Sequence, residues 1–123
     1  MNMNKIKTFK DLNTWKEGHK LVLLVYRVTK TFPKEEKYGL TDQMRRCAVS
    51  ITSNVAEGFS RQGKKEKIQF YYTAKGSLTE LLNQLIISRD VNYISDDQFR
   101  ALENQLDTVG KLLTGLIKSM KAK

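Results

Sequence analysis

Cysteine, proline, histidine and tryptophan each occur once in these 123 residues. The lone Cys47 excludes an intramolecular disulfide, so packing must hold the fold. One thiol and one imidazole, His19, fall short of the roughly four ligands that a structural zinc site takes. The Glu-x-x-His pair that builds di-iron sites in helical bundles is missing as well. With a single histidine, Ser50 and Ser77 have no evident base to activate them. No phosphate loop occurs, because Gly58 to Gly63 lacks the spacing and no strand precedes it. Glu57 with Glu80 is the one carboxylate pair that acid–base chemistry could use, and structural neutralisation of each is the favoured explanation. The sequence therefore predicts a non-enzymatic protein without metal or cofactor.

Strand signals are also lacking: no cluster of alternating β-branched residues is bounded by turns. The longest apolar run, Leu21-Val22-Leu23-Leu24-Val25-Tyr26, is far below the about 20 residues that span a bilayer. Residues 1–10 lack an apolar signal core and read as a polar lead-in. A reducing, cytoplasmic setting is the expectation. What is abundant is positive charge, 22 Lys and Arg against 13 Asp and Glu, for a formal net charge of +9. Nucleic acid, an acidic protein or an anionic membrane would answer to that excess, and so would simple solvation of a Lys-rich surface.

The chain is organised around the stretch from Tyr38 to Gly58. Gly39 allows a sharp turn, Thr41 or Asp42 can cap a helix start, and Gly58 stands where a C-terminal glycine is expected. Between them Leu40, Met44, Cys47, Ala48, Ile51 and Val55 form one apolar stripe at helical spacing. Beside it runs a polar row, Gln43, Arg46, Ser50, Asn54 and Glu57, expected to be buried, hydrogen-bonded and structural. Glu57 in the last helical turn opposes the dipole and needs a cationic partner. Arg46 is about 16 Å away along the axis, so Arg61, or Arg46 of another subunit, is the expected partner.

Four helices follow from the pattern, over about residues 11–32, 40–58, 64–91 and 96–121. Asp11 is the expected N-cap of the first, and Pro33 ends it. Its main stripe is Leu12, Trp15, His19, Val22, Tyr26 and Thr29, with His19 a core residue. A second set, Leu21, Leu24 and Val28, points elsewhere. The third helix buries Tyr71, Ala74, Leu78, Leu81 and Leu85; Ile68, Tyr72, Ile86 and Ile87 lie off that stripe. Gly76 inside it predicts close packing against a neighbour helix. Ser95 and Gln98 form a capping box, followed by the stripe Phe99, Leu102, Leu106, Val109, Leu113, Leu116 and Met120. The expectation is one all-α domain over residues 1–123, an up-down-up-down four-helix bundle with left-handed packing.

These residues carry a family resemblance. Phe32-Pro33-x-Glu35, Tyr38-Gly39-Leu40, Gln43, Arg45-Arg46, Ser50-Ile51, Asn54-x-Ala56-Glu57-Gly58 and Arg61 resemble the family called four helix bundle protein. It is also known as S23 ribosomal protein or 23S rRNA intervening-sequence protein. Phe9-x-Asp11-Leu12-x-x-Trp15 and Ala74-x-Gly76-Ser77-x-x-Glu80-Leu81 extend the match over nearly the whole chain. The resemblance implies a small helical bundle that assembles as a ring, a homopentamer, with no enzymatic activity attached. A related group serves as the accessory variability protein of diversity-generating retroelements, which binds a reverse transcriptase and RNA.

Leu21, Leu24, Val28, Val49, Thr52 and Ala56 exceed what one small core needs and form the expected subunit interface. Arg61, Lys64, Lys65 and Lys67 cluster before and within the start of the third helix. Lys111, Lys118, Lys121 and Lys123 cluster toward the end of the fourth. An up-down bundle brings these sets to one end, as a candidate RNA surface. Phe59 and Tyr93, in connections, are the aromatics expected to be free to stack on bases. Three readings stand: an RNA- or ribonucleoprotein-associated oligomeric scaffold, a protein-interaction adaptor without nucleic acid, and an accessory protein of a reverse-transcriptase retroelement.

Overall fold

The computed structural model describes residues 5–123. Four helices carry it: α1 (Asn13–Thr29), α2 (Leu40–Ser60), α3 (Lys64–Asp90) and α4 (Asp96–Lys121). Short 3-10 turns precede α1 at Phe9–Asp11 and α2 at Lys34–Glu36. Each helix packs against two others, α1 on α2, α2 on α3, α3 on α4 and α4 back on α1, so the bundle is square in section and no diagonal pair touches among the described residues. No strand forms among them, and none of their helices is long and apolar enough to cross a membrane. The expected four-helix bundle is the observed one.

The stripes of α2 and α3 are as the spacing predicts. Met44, Ala48, Ile51 and Val55 face Tyr71, Ala74, Leu81 and Leu85 in the core, all at most 2% exposed. Cys47 is buried too; its thiol donates to the Ser77 carbonyl at 3.0 Å. Burial, with the Glu80 carboxylate adding to it, pushes that thiol up to about 12, so it stays protonated and inert at neutral pH. On α4, Ile117 takes the buried place expected of Leu116 and Met120, which lie half-buried at the rim. The Ser95–Gln98 capping box forms, with both reciprocal bonds in place.

α1 is rotated from its expected setting. Its buried face is Thr14, Gly18, Leu21, Val22, Val25 and Thr29. Trp15 is half-buried, His19 is exposed and stacked on it at 4.9 Å, and Tyr26 is 39% exposed. The cause is close approach: a Cβ on Gly18 would stand 3.0 Å from the Thr52 methyl. Small residues make that helix contact, and the aromatic rings are left to its flank. The Arg45 guanidinium covers Tyr26 at 4.7 Å and donates to Thr29 Oγ1 at 2.9 Å, tying α2 to α1.

The expected interface changes accordingly. Leu21 and Thr52 lie inside this chain's own bundle, Leu21 fully buried and Thr52 against Gly18 in the α1–α2 contact. Leu24 and Val28 are half-buried against the core, Ala56 is half-buried, and Val49 is 39% exposed. The apolar side chains open to solvent on these helices are Leu23, Tyr26 and Val49.

Helix ends differ for local reasons. Phe32 precedes Pro33 and cannot stay helical, so α1 ends at Thr29 and closes by a Phe32 N–H bond to its carbonyl. Asp11 caps the 3-10 turn in a box with Thr8, and Leu12, without a side-chain cap, starts α1. Neither Thr41 nor Asp42 caps α2. Gly39 is its N-cap, and the Glu36 carboxylate accepts from the Leu40 N–H at 3.0 Å. A Cβ on Gly39 would sit 2.7 Å from that carboxylate, so the glycine makes room for the cap. The Leu40 N–H, and after it the Tyr93 hydroxyl at 2.8 Å, hold Glu36 below the usual carboxylate range.

Gly58 is inside α2 and ends nothing. A Cβ there would be 2.6 Å from the Tyr71 ring and 3.0 Å from Phe70 Cβ, so glycine lets α2 and α3 meet before their turn. Gly76, expected at a tight contact, has nothing within 4 Å of its Cβ position. The two glycines should respond oppositely to alanine. Gly58→Ala should cost about 1–3 kcal/mol through overpacking. Gly76→Ala should add up to about 1 kcal/mol from helix propensity. Urea denaturation of the two variants measures both signs.

Candidate functional site

The start of α3 and the end of α4 share one end of the bundle. Lys64 Nζ donates to the Lys123 carbonyl at 2.6 Å, and Lys121 Nζ donates to the Tyr72 hydroxyl at 2.7 Å. Lys64, Lys65, Lys118, Lys121 and Lys123 are all exposed there. The antiparallel order also brings the start of α1 to this end, and the 3-10 turn before α1 packs on α2 as well as α1. Lys5, Lys7 and Lys10, exposed in that segment, therefore join the same basic end. They were hidden in what reads as a polar lead-in; only the topology adds them.

Three of the expected cations have other work. Lys67 is half-buried and donates to the carbonyls of Phe59 at 2.7 Å and Gly58 at 3.4 Å. It caps the C-terminal end of α2, and burial, helped by Lys123, lowers its pKa. Arg61 pairs with Glu57 at 3.8 Å and stacks over Phe70 at 4.8 Å. Lys111 is ten residues before Lys121, about 15 Å up the α4 axis, and lines a groove between α3 and α4.

The aromatics expected to stack on bases are engaged. Phe59 is packed against the core with Lys67 over its ring at 5.3 Å. Tyr93 packs on Phe32 at 5.2 Å, and its hydroxyl donates a hydrogen bond to Glu36. The aromatic open at the basic end is Tyr72, 46% exposed, with the Lys121 ammonium over its ring at 5.1 Å. Its signal was its position off the α3 core stripe.

The polar row of α2 splits. Ser50 and Ser77 hydroxyls meet at 2.9 Å, and Asn54 Nδ2 donates to the Ser50 carbonyl at 2.8 Å and its hydroxyl at 3.1 Å. These form a half-buried seam between α2 and α3. The rest of the row is not buried in the chain. Gln43 is exposed, Arg46 is 80% exposed and paired with Asp42 at 3.0 Å, and Glu57 is 57% exposed. Gln43, Arg46 and Glu57 flank the α2–α3 contact on its solvent side, and partners at i±4 serve the charges of Arg46 and Glu57. A shallow groove of about 280 Å³ lies over the seam, lined by Gln43, Arg46, Cys47, Ser50, Ser77 and Glu80. Among the described residues no group of three or more His, Cys, Asp or Glu side chains could hold a metal ion.

The model of the 23S rRNA-intervening sequence protein family matches residues 10–115. The chain belongs to that family. A search of curated proteins finds no relative. Among solved structures it is similar to a protein of unknown function from the S23 ribosomal protein family of Bacteroides thetaiotaomicron. The two are 20% identical, with a TM-score of 0.78, over 85% of this chain and 95% of that one. At that identity the likeness shows the fold. Within the Asn54-x-Ala56-Glu57-Gly58 run, Gly58 admits Tyr71 and Asn54 holds the serine seam.

Lys67→Ala should lower stability by about 1 kcal/mol, since it removes a charged donor from two helix-end carbonyls. Lys65→Ala at the exposed surface should change stability by less than about 0.5 kcal/mol. Chemical denaturation of the pair separates the structural lysine from the solvated one.

Proposed function

We propose that this chain is a non-enzymatic, oligomeric scaffold that associates with RNA or ribonucleoprotein through the basic end of its bundle. The observation that supports this most is the gathering of Lys64, Lys65, Lys118, Lys121 and Lys123 at one end of the bundle, with Lys121 over the exposed Tyr72 ring. Ammonium groups there reach phosphates, and the Tyr72 ring offers one stacking surface. Membership of a family described by an rRNA intervening sequence agrees with an RNA-linked role.

Fluorescence anisotropy with structured and single-stranded RNA tests the reading. Affinity should fall with salt at a slope of about 0.7 per neutralised phosphate for a single strand. Replacing Lys64, Lys65, Lys118 and Lys121 by Glu should abolish binding at low salt. Binding that survives that replacement sinks the proposal.

Leu23, Tyr26 and Val49, together with Ile86 and Ile87, expose apolar surface on several sides. That favours self-association, and the family resemblance makes a closed ring of five the expected form. Val49→Asp should dissociate it. Light scattering that finds the unmodified protein monomeric at micromolar concentration would refute the assembly. The same exposed side chains favour the adaptor reading if RNA does not bind.

A further inference from the structure

At the end of the bundle away from the candidate RNA surface, a hollow of about 430 Å³ lies where the turn between α1 and α2 crosses. Four cations line it: Lys30 just past α1, Lys34 in the 3-10 turn, Lys37 after that turn, and Arg45 on α2. No acid is among its lining residues. The groove over the serine seam, by contrast, carries Arg46 together with Glu80. Buried Phe32 and half-buried Pro33 give the hollow an apolar side, and Thr41 adds a hydroxyl.

The chain's own carboxylates do not serve these cations. None of the ion pairs among the described residues involves Lys30, Lys34, Lys37 or Arg45. Glu36, beside them in sequence, is committed to the Leu40 N–H at 3.0 Å and the Tyr93 hydroxyl at 2.8 Å. Asp42 is taken by Arg46 at 3.0 Å. Glu35 is exposed and does not line the hollow. Arg45 is the fixed member of the set. It is half-buried, its Nε donates to Thr29 Oγ1 at 2.9 Å, and its guanidinium covers Tyr26 at 4.7 Å. That uses one of the five N–H donors a guanidinium carries. Lys30, Lys34 and Lys37 are exposed and reorient easily. Lys37 stands 5.4 Å from the Tyr38 ring, a contact that an exposed cation gives up at little cost.

We infer that this hollow binds a terminal phosphate dianion. Cations gathered without an acid repel one another, and an anion that enters between them relieves the repulsion. A carboxylate brings one charge and two oxygens. A terminal phosphate brings about −1.5 to −2 charges near neutral pH and three acceptor oxygens. That is enough to meet a guanidinium fork and two ammonium groups together. The volume falls in the range of roughly 300–1,000 Å³ typical of small-ligand sites, so the phosphate can arrive attached to a ring that rests against Pro33. Free phosphate, a nucleoside 5′-phosphate and the 5′-phosphorylated end of an RNA share this chemistry. The site is independent of RNA binding at the basic end, because none of its lining residues belongs to that surface.

The test uses the full chain and titration calorimetry in about 0.1 M salt. The probes are adenosine 5′-monophosphate, adenosine, inorganic phosphate, and one short RNA made with a 5′-phosphate and with a 5′-hydroxyl. Phosphate-bearing probes should bind saturably with a submillimolar Kd, and adenosine should not bind. Lys34→Gln with Lys37→Gln should weaken phosphate binding at least about tenfold, because charge-assisted hydrogen bonds are lost. The thermal melt and the affinity for the 5′-hydroxyl RNA should stay unchanged. Lys16→Gln with Lys20→Gln removes the same charge from exposed positions on α1 and should leave phosphate affinity within about twofold. The phosphate probe that binds most tightly identifies the source of the group. Any of four results overturns the site: no phosphate probe binds saturably, adenosine binds as well as its phosphate, the Lys34 and Lys37 substitutions leave affinity intact, or the Lys16 and Lys20 substitutions cost as much.

Discussion

The approach of α2 to α3 is the constraint on which the bundle depends. Gly58 and Ala48 on one helix and Ala74 and Ser77 on the other keep that contact free of large side chains where the backbones come near. The Tyr71 ring then occupies the space a Cβ on Gly58 would need. Polar atoms trapped by such closeness must be satisfied locally. Ser50, Ser77, Asn54 and the Cys47 thiol do so with one another and with backbone carbonyls. Because α2 and α3 are fixed in this way, Lys67 comes within reach of the last carbonyls of α2, and Arg61 lies over Phe70. The geometry of the basic end is a consequence of packing further up the helices.

Helix number, order and most core positions were legible in the sequence because periodicity reports which face is apolar. The stripes of α2, α3 and α4 differ from expectation only near helix ends, where Leu40, Leu116 and Met120 are half-buried and Ile117 is buried. α1 was misread because its contact is made by what has little hydrophobic signal, Thr14, Gly18 and the Thr52 methyl across from them. Large rings such as Trp15 and Tyr26 outweigh those residues in any apolar count, yet they end at the edge. The glycines misled for a related reason. Spacing shows that Gly58 and Gly76 sit in or near helices, but the neighbour that gives one of them a role, Tyr71, is distant in sequence.

The candidate surface was legible as a charge excess and as two clusters that the topology must join. Which cations are free was not legible. Lys67 and Lys64 look alike in sequence, but only the Lys67 ammonium faces the end of α2. Tyr72 was visible as an apolar residue without a place in the core, whereas its company of lysines depends on the α4 register. The polar row of α2 read as one unit, and the fold divides it into a bonded centre and two solvated ends.

One feature of the charge layout reaches beyond any single contact. At the end formed by the starts of α1 and α3 and the finish of α4, lysines outnumber the acids Asp11, Glu57 and Glu66. The opposite end mixes Glu35, Glu36, Asp90, Asp96 and Asp97 with its cations. The molecule is thus an electric dipole directed along its helix axes. Such a field turns an approaching body before the surfaces meet and raises the rate of encounter at one end. At low ionic strength the field draws negative charge toward that end of the bundle. Beyond about 10 Å in 0.1 M salt that guidance is screened away. The orienting field is therefore a property of the whole charge arrangement and is lost with salt before any short-range contact is.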